Sequence, residues 1–221
     1  MKFRRFENYE KMTAQVVDLL STHLRIESTQ PRGIMLSGGL TPQPAYRRLT
    51  AAAVKATPST HILFSDERMV PVISPENNFG NARPMINAIG VSEQRILRVH
   101  TELALADAAN RYEQDISTFL KKGGKISLGL LGLGADGHTA SIFSKEDVAT
   151  GHGHYAVAVP KQGEPSRITV TADFLSLVDC IIFIASGADK ASIVKTFMEN
   201  PESLPAGLAV AGARNVHLWI S

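Results

Sequence analysis

The sequence has little of three things: cysteine, surplus charge and long apolar runs. One cysteine, Cys180, among 221 residues leaves no internal disulfide, so a reducing compartment, the cytoplasm, is expected rather than a secreted setting. Against 23 Lys plus Arg stand 21 Asp plus Glu, a formal net charge of +2. Nucleic-acid binders concentrate basic residues on one element. The local basic cluster here, Lys2, Arg4 and Arg5, alternates with Phe3 and Phe6, which predicts a first strand instead. No apolar run approaches the roughly 18 to 20 residues needed to span a bilayer; the longest, residues 180–185, has six. The charged start runs into Glu7, Glu10 and Lys11 without an apolar stretch, so no secretory leader is expected. Seventeen glycines without a three-residue period exclude a collagen-like chain. With 44% hydrophobic and 20% charged residues, the chain can bury a sizeable core.

What is present is an alternation of helical and strand patterns. Residues 8–27 carry Met12, Val16, Leu19, Leu20 and Leu24 at helical spacing. A short apolar strand at 33–37 ends in Gly38 and Gly39, and Pro42 opens a helix to about residue 55. Residues 61–64 predict a buried strand, 65–78 a polar loop, 80–89 a helix and 96–99 another strand. Residues 103–121 predict a helix with Leu103, Ala106, Tyr112, Ile116 and Phe119 inward. A central strand follows at 126–131, a strand pair at 156–159 and 167–171, an apolar strand at 180–185, a helix at 188–198 and a last strand at 216–220. Cys180, Tyr112 and Trp219 read as core. Short apolar strands between helices predict an α/β fold: a mostly parallel, Rossmann-like open sheet with helices on both faces, as one domain over 1–221. In such sheets ligands sit at the C-terminal ends of strands, and three unusual stretches fall there.

The first, SGGLTP, ends a strand in two glycines before a helix. Glycines let backbone N–H groups approach an anion, and a helix N-terminus adds partial positive charge. The Lys-Ser/Thr of a Walker A loop is absent, and a plain turn with Thr41 capping the helix is equally open. The second, SDERMVP, brings Asp66, Glu67 and Arg68. These form either a solvated turn with a local ion pair or a site where Arg68, oriented by a carboxylate, holds a phosphate or oxyanion. The third, GLGADGHTASIF, fits G-x-G-x-x-G at Gly132, Gly134 and Gly137. A dinucleotide site requires an acid after the next strand, yet the strand at 156–159 ends in Pro160 and Lys161. What remains is Asp136 two residues from His138, a carboxylate beside an imidazole, which is a general-base arrangement. Thr139 and Ser141 lack the G-x-S-x-G context of an acyl nucleophile. His152 and His154 lack a third ligand nearby in sequence, so no zinc site is expected.

These three motifs in order, with VPKQGEPSRITVT at 159–171, FIASGADKA at 183–191 and NPESLPAG at 200–207, resemble the 6-phosphogluconolactonase family over essentially the whole chain. The family belongs with the glucosamine-6-phosphate isomerase/deaminase group. The resemblance implies one α/β domain hydrolysing 6-phospho-D-glucono-1,5-lactone to 6-phosphogluconate in the pentose phosphate pathway, with no cofactor and no metal. It implies His138 as general base paired with Asp136, and Arg68 near the substrate. Gly38, Gly39 and Thr41 match a phosphate loop, Asp66 is expected with them among the substrate- and phosphate-binding residues, and Arg167 and Lys190 match the cations on the phosphate. The implied partner is a small phosphorylated sugar lactone, with neither nucleic acid nor membrane, on a monomer or weak homodimer.

Three positions depart from the family pattern: Leu40 in place of Ser, Asn77 in place of Ser, and Ser144 in place of Pro. The alternatives are a glucosamine-6-phosphate deaminase-like enzyme and a non-catalytic sugar-phosphate binder. The deaminase motif carries Glu five residues after the His, where this chain has Phe143.

Overall fold

The computed structural model describes residues 1–162 and 164–221. The chain opens with β1 (Lys2–Arg5), α1 (Tyr9–Leu24), β2 (Arg32–Leu36), α2 (Gln43–Ala51), β3 (Thr60–Phe64), β4 (Asp66–Arg68) and α3 (Asn78–Ile89). It continues through β5 (Ile96–Leu97), α4 (Leu105–Lys121), β6 (Lys125–Gly132), α5 (Lys145–Thr150), β7 (Ala156–Val159) and β8 (Arg167–Val170). It closes with α6 (Ala172–Leu175), β9 (Ile181–Ala185), α7 (Ala191–Glu199), α8 (Pro205–Ala209) and β10 (Val216–Ile220).

Seven strands form one sheet in the order β1-β10-β9-β6-β2-β3-β5, and every neighbouring pair in it is parallel. Side chains alternate between its two faces. In β9, Ile181, Phe183 and Ala185 enter a core shared with α4, α6 and α7, whereas Ile182 and Ile184 enter one shared with α1, α2 and α3. Strand runs buried on both faces are therefore continuously apolar, as the sequence pattern requires. Tyr112 and Trp219 are core residues, at 0% and 6% exposure.

The order of β6, β2 and β3 reverses direction at β2, so a crevice opens between the C-terminal ends of β2 and β6. That is where an open sheet places its ligand.

Several expectations are corrected. The polar stretch after β3 is not all loop. Residues 66–68 form β4, which pairs antiparallel with β8, itself antiparallel to β7, making a separate three-stranded sheet. This also removes the context of a dinucleotide fold, because the strand after β6 leaves the parallel sheet. Helix α2 ends at Ala51, well short of residue 55, and the extended Ala52 (ψ 145°) carries Val54 into the core. Leu103 and Ala106 are exposed; the inward row of α4 is Ala108, Ala109, Tyr112, Ile116 and Phe119. Cys180 precedes β9 and is half-buried, and burial pushes its thiol pKa up.

Candidate active site

A cleft of about 410 Å³ opens at the C-terminal ends of β2, β3, β6 and β9. Of the sequence-predicted residues, Gly38, Gly39, Thr41, Asp66, Arg68, His138 and Lys190 line it. Asp136 reaches it through His138. Arg167 does not line it; it stands directly across the β4–β8 ladder from Arg68.

The loop after β6 builds the dyad. His138 Nδ1 lies 2.5 Å from Asp136 Oδ1, and the His138 backbone N–H donates to the same oxygen at 3.2 Å. Burial works to raise the Asp136 pKa, but the N–H and ring of His138 outweigh it and hold the carboxyl below its ordinary value. The carboxylate fixes Nδ1 as the protonated ring nitrogen, which leaves the Nε2 lone pair for chemistry. The imidazole is 30% exposed, within reach of a ligand. The dyad needs glycine beside it: a side-chain carbon at Gly134 would stand 2.2 Å from His138 Nδ1 and 2.5 Å from Asp136 Oδ1.

Thr139 and Ser141 serve the scaffold. Thr139 Oγ1 donates to Gly132 O at 2.8 Å and Ser141 Oγ donates to Asp66 Oδ2 at 2.7 Å, and both residues are fully buried. Neither hydroxyl is paired with His138, so the serine-nucleophile reading has no geometric support. Between them Ala140 has φ 51°, the one positive φ outside glycine among the described residues. This turn, closed by Ile142 N–H to Thr139 O, brings Phe143 back under His138, with ring centroids 4.7 Å apart.

At the end of β2, the SGGLTP turn is a cleft wall. The Thr41 side chain does not cap α2, whose N-cap is Pro42 with no side-chain bond. Ser37 Oγ is buried without a partner among the described residues. A carbon at Gly38 would stand 1.8 Å from Asn78 Oδ1. Asn78 lines the cleft and is 4% exposed, and its Nδ2 donates to Asp66 O. Reading the sequence missed Asn78; its one signal was its place in an Asn-rich stretch beside the D-E-R motif.

Asp66 and Glu67 are buried, and no ion pair joins either to Arg68 among the described residues. The Asp66 carboxylate accepts from Ser65 and Ser141 hydroxyls. Glu67 accepts three backbone N–H groups, from Arg68, Asn78 and Phe79, at 2.8 to 2.9 Å, and so ties β4 to the N-terminus of α3. The Arg68 guanidinium is oriented by a carbonyl, donating from Nη1 to Glu76 O at 2.8 Å, while its buried Nε is unpartnered among the described residues. Lys190 ends a short 3-10 turn and precedes α7.

Burial pushes the Glu67 carboxyl up to about 7 from 4.5, against its three N–H donors. Its folded value exceeds its unfolded one, so the native state holds the proton more tightly. The stability this group contributes is present below about pH 4.5 and is lost as pH rises towards 7. Glu67→Gln removes that slope: between those pH values wild type should lose on the order of 3 kcal/mol more than the variant in urea unfolding. Parallel pH dependences would contradict it.

The departures at Asn77 and Ser144 are helix caps. Asn77 Oδ1 accepts Gly80 N–H at the start of α3, and Ser144 forms a capping box with Asp147 at α5. Leu40 is 82% exposed at the cleft edge. His152 Nδ1 faces Asp173 Oδ1 at 3.3 Å, and no group of three or more metal-ligating side chains gathers among the described residues. No helix among them is long and apolar enough to cross a membrane.

A family model described as glucosamine-6-phosphate isomerases/6-phosphogluconolactonase matches residues 7–219. The 6-phosphogluconolactonase of Nostoc sp. is 30% identical over 218 residues, covering 95% of this chain and 90% of that protein. The 6-phosphogluconolactonase of Haemophilus influenzae is 29% identical over 211 residues, covering 92% and 90%. A crystal structure of 6-phosphogluconolactonase from Thermotoga maritima shares the fold with a TM-score of 0.82 at 23% identity, over 99% of this chain and 98% of that one.

Proposed function

As a member of the glucosamine-6-phosphate isomerase/6-phosphogluconolactonase family, the chain hydrolyses 6-phospho-D-glucono-1,5-lactone, and we propose that it does so with His138 as general base and residues 1–221 as one catalytic unit. The observation that carries this is the dyad: Nδ1 of His138 is taken by Asp136 at 2.5 Å, at a cleft on the C-terminal strand ends.

The phosphate is held by backbone N–H groups of the Gly38–Gly39 turn with Thr41, by Lys190, and from the adjoining strand by Arg167. That anchoring sets C1 near His138 and removes much of the entropic cost of a bimolecular attack. Nε2 takes a proton from water as its oxygen bonds to C1, and Asp136 stabilises the imidazolium. Arg68 offsets the charge on the tetrahedral oxyanion. The oxyanion collapses, the bond from C1 to the ring oxygen breaks, and the imidazolium returns the proton to that oxygen, giving 6-phosphogluconate. Asp66 lines the cleft as a substrate-binding residue, its carboxylate held in place by the Ser65 and Ser141 hydroxyls. The lone half-buried cysteine fits a reducing, cytoplasmic setting.

The assay that separates this from the deaminase chemistry of the same family offers both substrates. The lactone should be opened faster than its spontaneous rate, and glucosamine 6-phosphate should release no ammonia. Ammonia release with no lactone turnover would overturn the reading.

A further inference from the structure

Phe143 belongs to none of the roles above, yet three groups converge on its ring. The His138 imidazole packs on it at 4.7 Å between centroids with the planes tilted by 43°. Lys161 Nζ lies 3.7 Å from the ring centroid and Arg167 Cζ 5.5 Å from it. The ring is rooted firmly: the Phe143 N–H donates to Asp147 Oδ2 at 2.8 Å, within the cap of α5. The Ala140 turn supplies the reversal that brings position 143 beneath position 138.

Among the described residues each cation has one ion-pair partner, Glu164. Glu164, 59% exposed, is 3.6 Å from Lys161 and 4.0 Å from Arg167, both beyond hydrogen-bond length. Arg167 Nε is buried and unpartnered among the described residues. Arg167 also stands opposite Arg68 in the ladder, a like-charged pairing that a sheet disfavours. An aromatic face attracts a cation without cancelling its charge. A carboxylate in the same place would neutralise the cation, and an aliphatic side chain would not hold it.

We propose that Phe143 is a positioning residue for both halves of the reaction, its ring fixing the His138 imidazole for proton transfer and aligning Arg167 and Lys161, still charged, towards the phosphate of the substrate. Lys161, which like Arg167 stands outside the cleft lining, thereby joins it as a phosphate-side cation. The inference rests on the lactonase reading.

The test compares wild type, Phe143→Leu and Phe143→Tyr on freshly made 6-phospho-D-glucono-1,5-lactone and on unphosphorylated D-glucono-1,5-lactone, with spontaneous opening subtracted and folding followed by thermal melts. In Phe143→Leu, kcat should fall about tenfold on both lactones, from the freed imidazole. KM should rise at least fivefold on the phosphorylated lactone alone. Phe143→Tyr, which keeps the ring, should restore most of both losses. A purely structural role would not divide KM between the two substrates. Wild-type kinetics in a folded Phe143→Leu, or an unchanged KM for the phosphorylated lactone, overturns the inference while leaving the lactonase reading intact. Equal losses in the Leu and Tyr variants overturn it too. No turnover of the phosphorylated lactone by wild type overturns the lactonase reading and the inference together.

Discussion

His138→Ala should lower kcat for lactone hydrolysis by roughly 10²- to 10⁴-fold, the range that a positioned general base contributes, with KM changed little. The substitution takes away Nε2, the group that accepts the proton of the attacking water. It leaves the Gly38–Gly39 turn, Arg68 and Lys190 around the cleft, so binding and oxyanion stabilisation persist and a residual rate survives. The imidazole is partly exposed at the end of β6 and not part of the core, so the variant should fold normally. Steady-state kinetics at saturating lactone check this. A kcat within threefold of wild type would remove His138 from the role of base.

Gly134→Ala should cost about as much with the dyad chemically intact. Its added carbon would lie 2.2 Å from His138 Nδ1, 2.4 Å from its Cε1 and 2.5 Å from Asp136 Oδ1, so both side chains have to swing away. Gly134 also accepts no change of path easily, since its N–H donates to His138 O at 2.8 Å and its carbonyl accepts from Gly137. A misplacement of about 1 Å at a reacting group costs on the order of 10²-fold. The expected result is a drop in kcat of that size with an unchanged circular dichroism spectrum. A variant with full turnover would show that the Asp136–His138 geometry does not set the rate.

Much of this was legible in the sequence, for identifiable physical reasons. β6 and β9 are visible because strands covered on both faces are apolar throughout, and Asp136 and His138 are visible because a two-residue separation on a glycine turn suffices to bring them together. β4 was hidden. Its three residues are Asp, Glu and Arg, and they tolerate burial because Ser65, Ser141 and three backbone N–H groups meet the two carboxylates. Ser65 and Arg68 are sequence neighbours, but Asn78 and Phe79 come from the next helix and Ser141 from the loop after β6, and no local pattern announces those. The orientation of Arg68 was hidden for a related reason: the nearest acids in sequence are engaged elsewhere, and a carbonyl eight residues on takes the guanidinium. Phe143 was invisible as a neighbour of His138 because the contact depends on a left-handed residue, Ala140, that no glycine signals. Asn77 and Ser144, departures from the family pattern in the sequence, are helix caps, a role that depends on where a helix starts. Leu103 falls outside the stripe because the helix begins later, at Leu105, and Ala106 does so because it lies six residues before Tyr112, off the i, i+3, i+4 spacing that puts Ala108 and Ala109 on the inward face.

The most direct measurement is a coupled assay in which glucose-6-phosphate dehydrogenase generates 6-phospho-D-glucono-1,5-lactone and 6-phosphogluconate formation is followed with and without the protein. Formation well above the spontaneous rate with wild type, and close to it with His138→Ala, is the predicted result. A wild-type rate no faster than spontaneous opening would contradict the account.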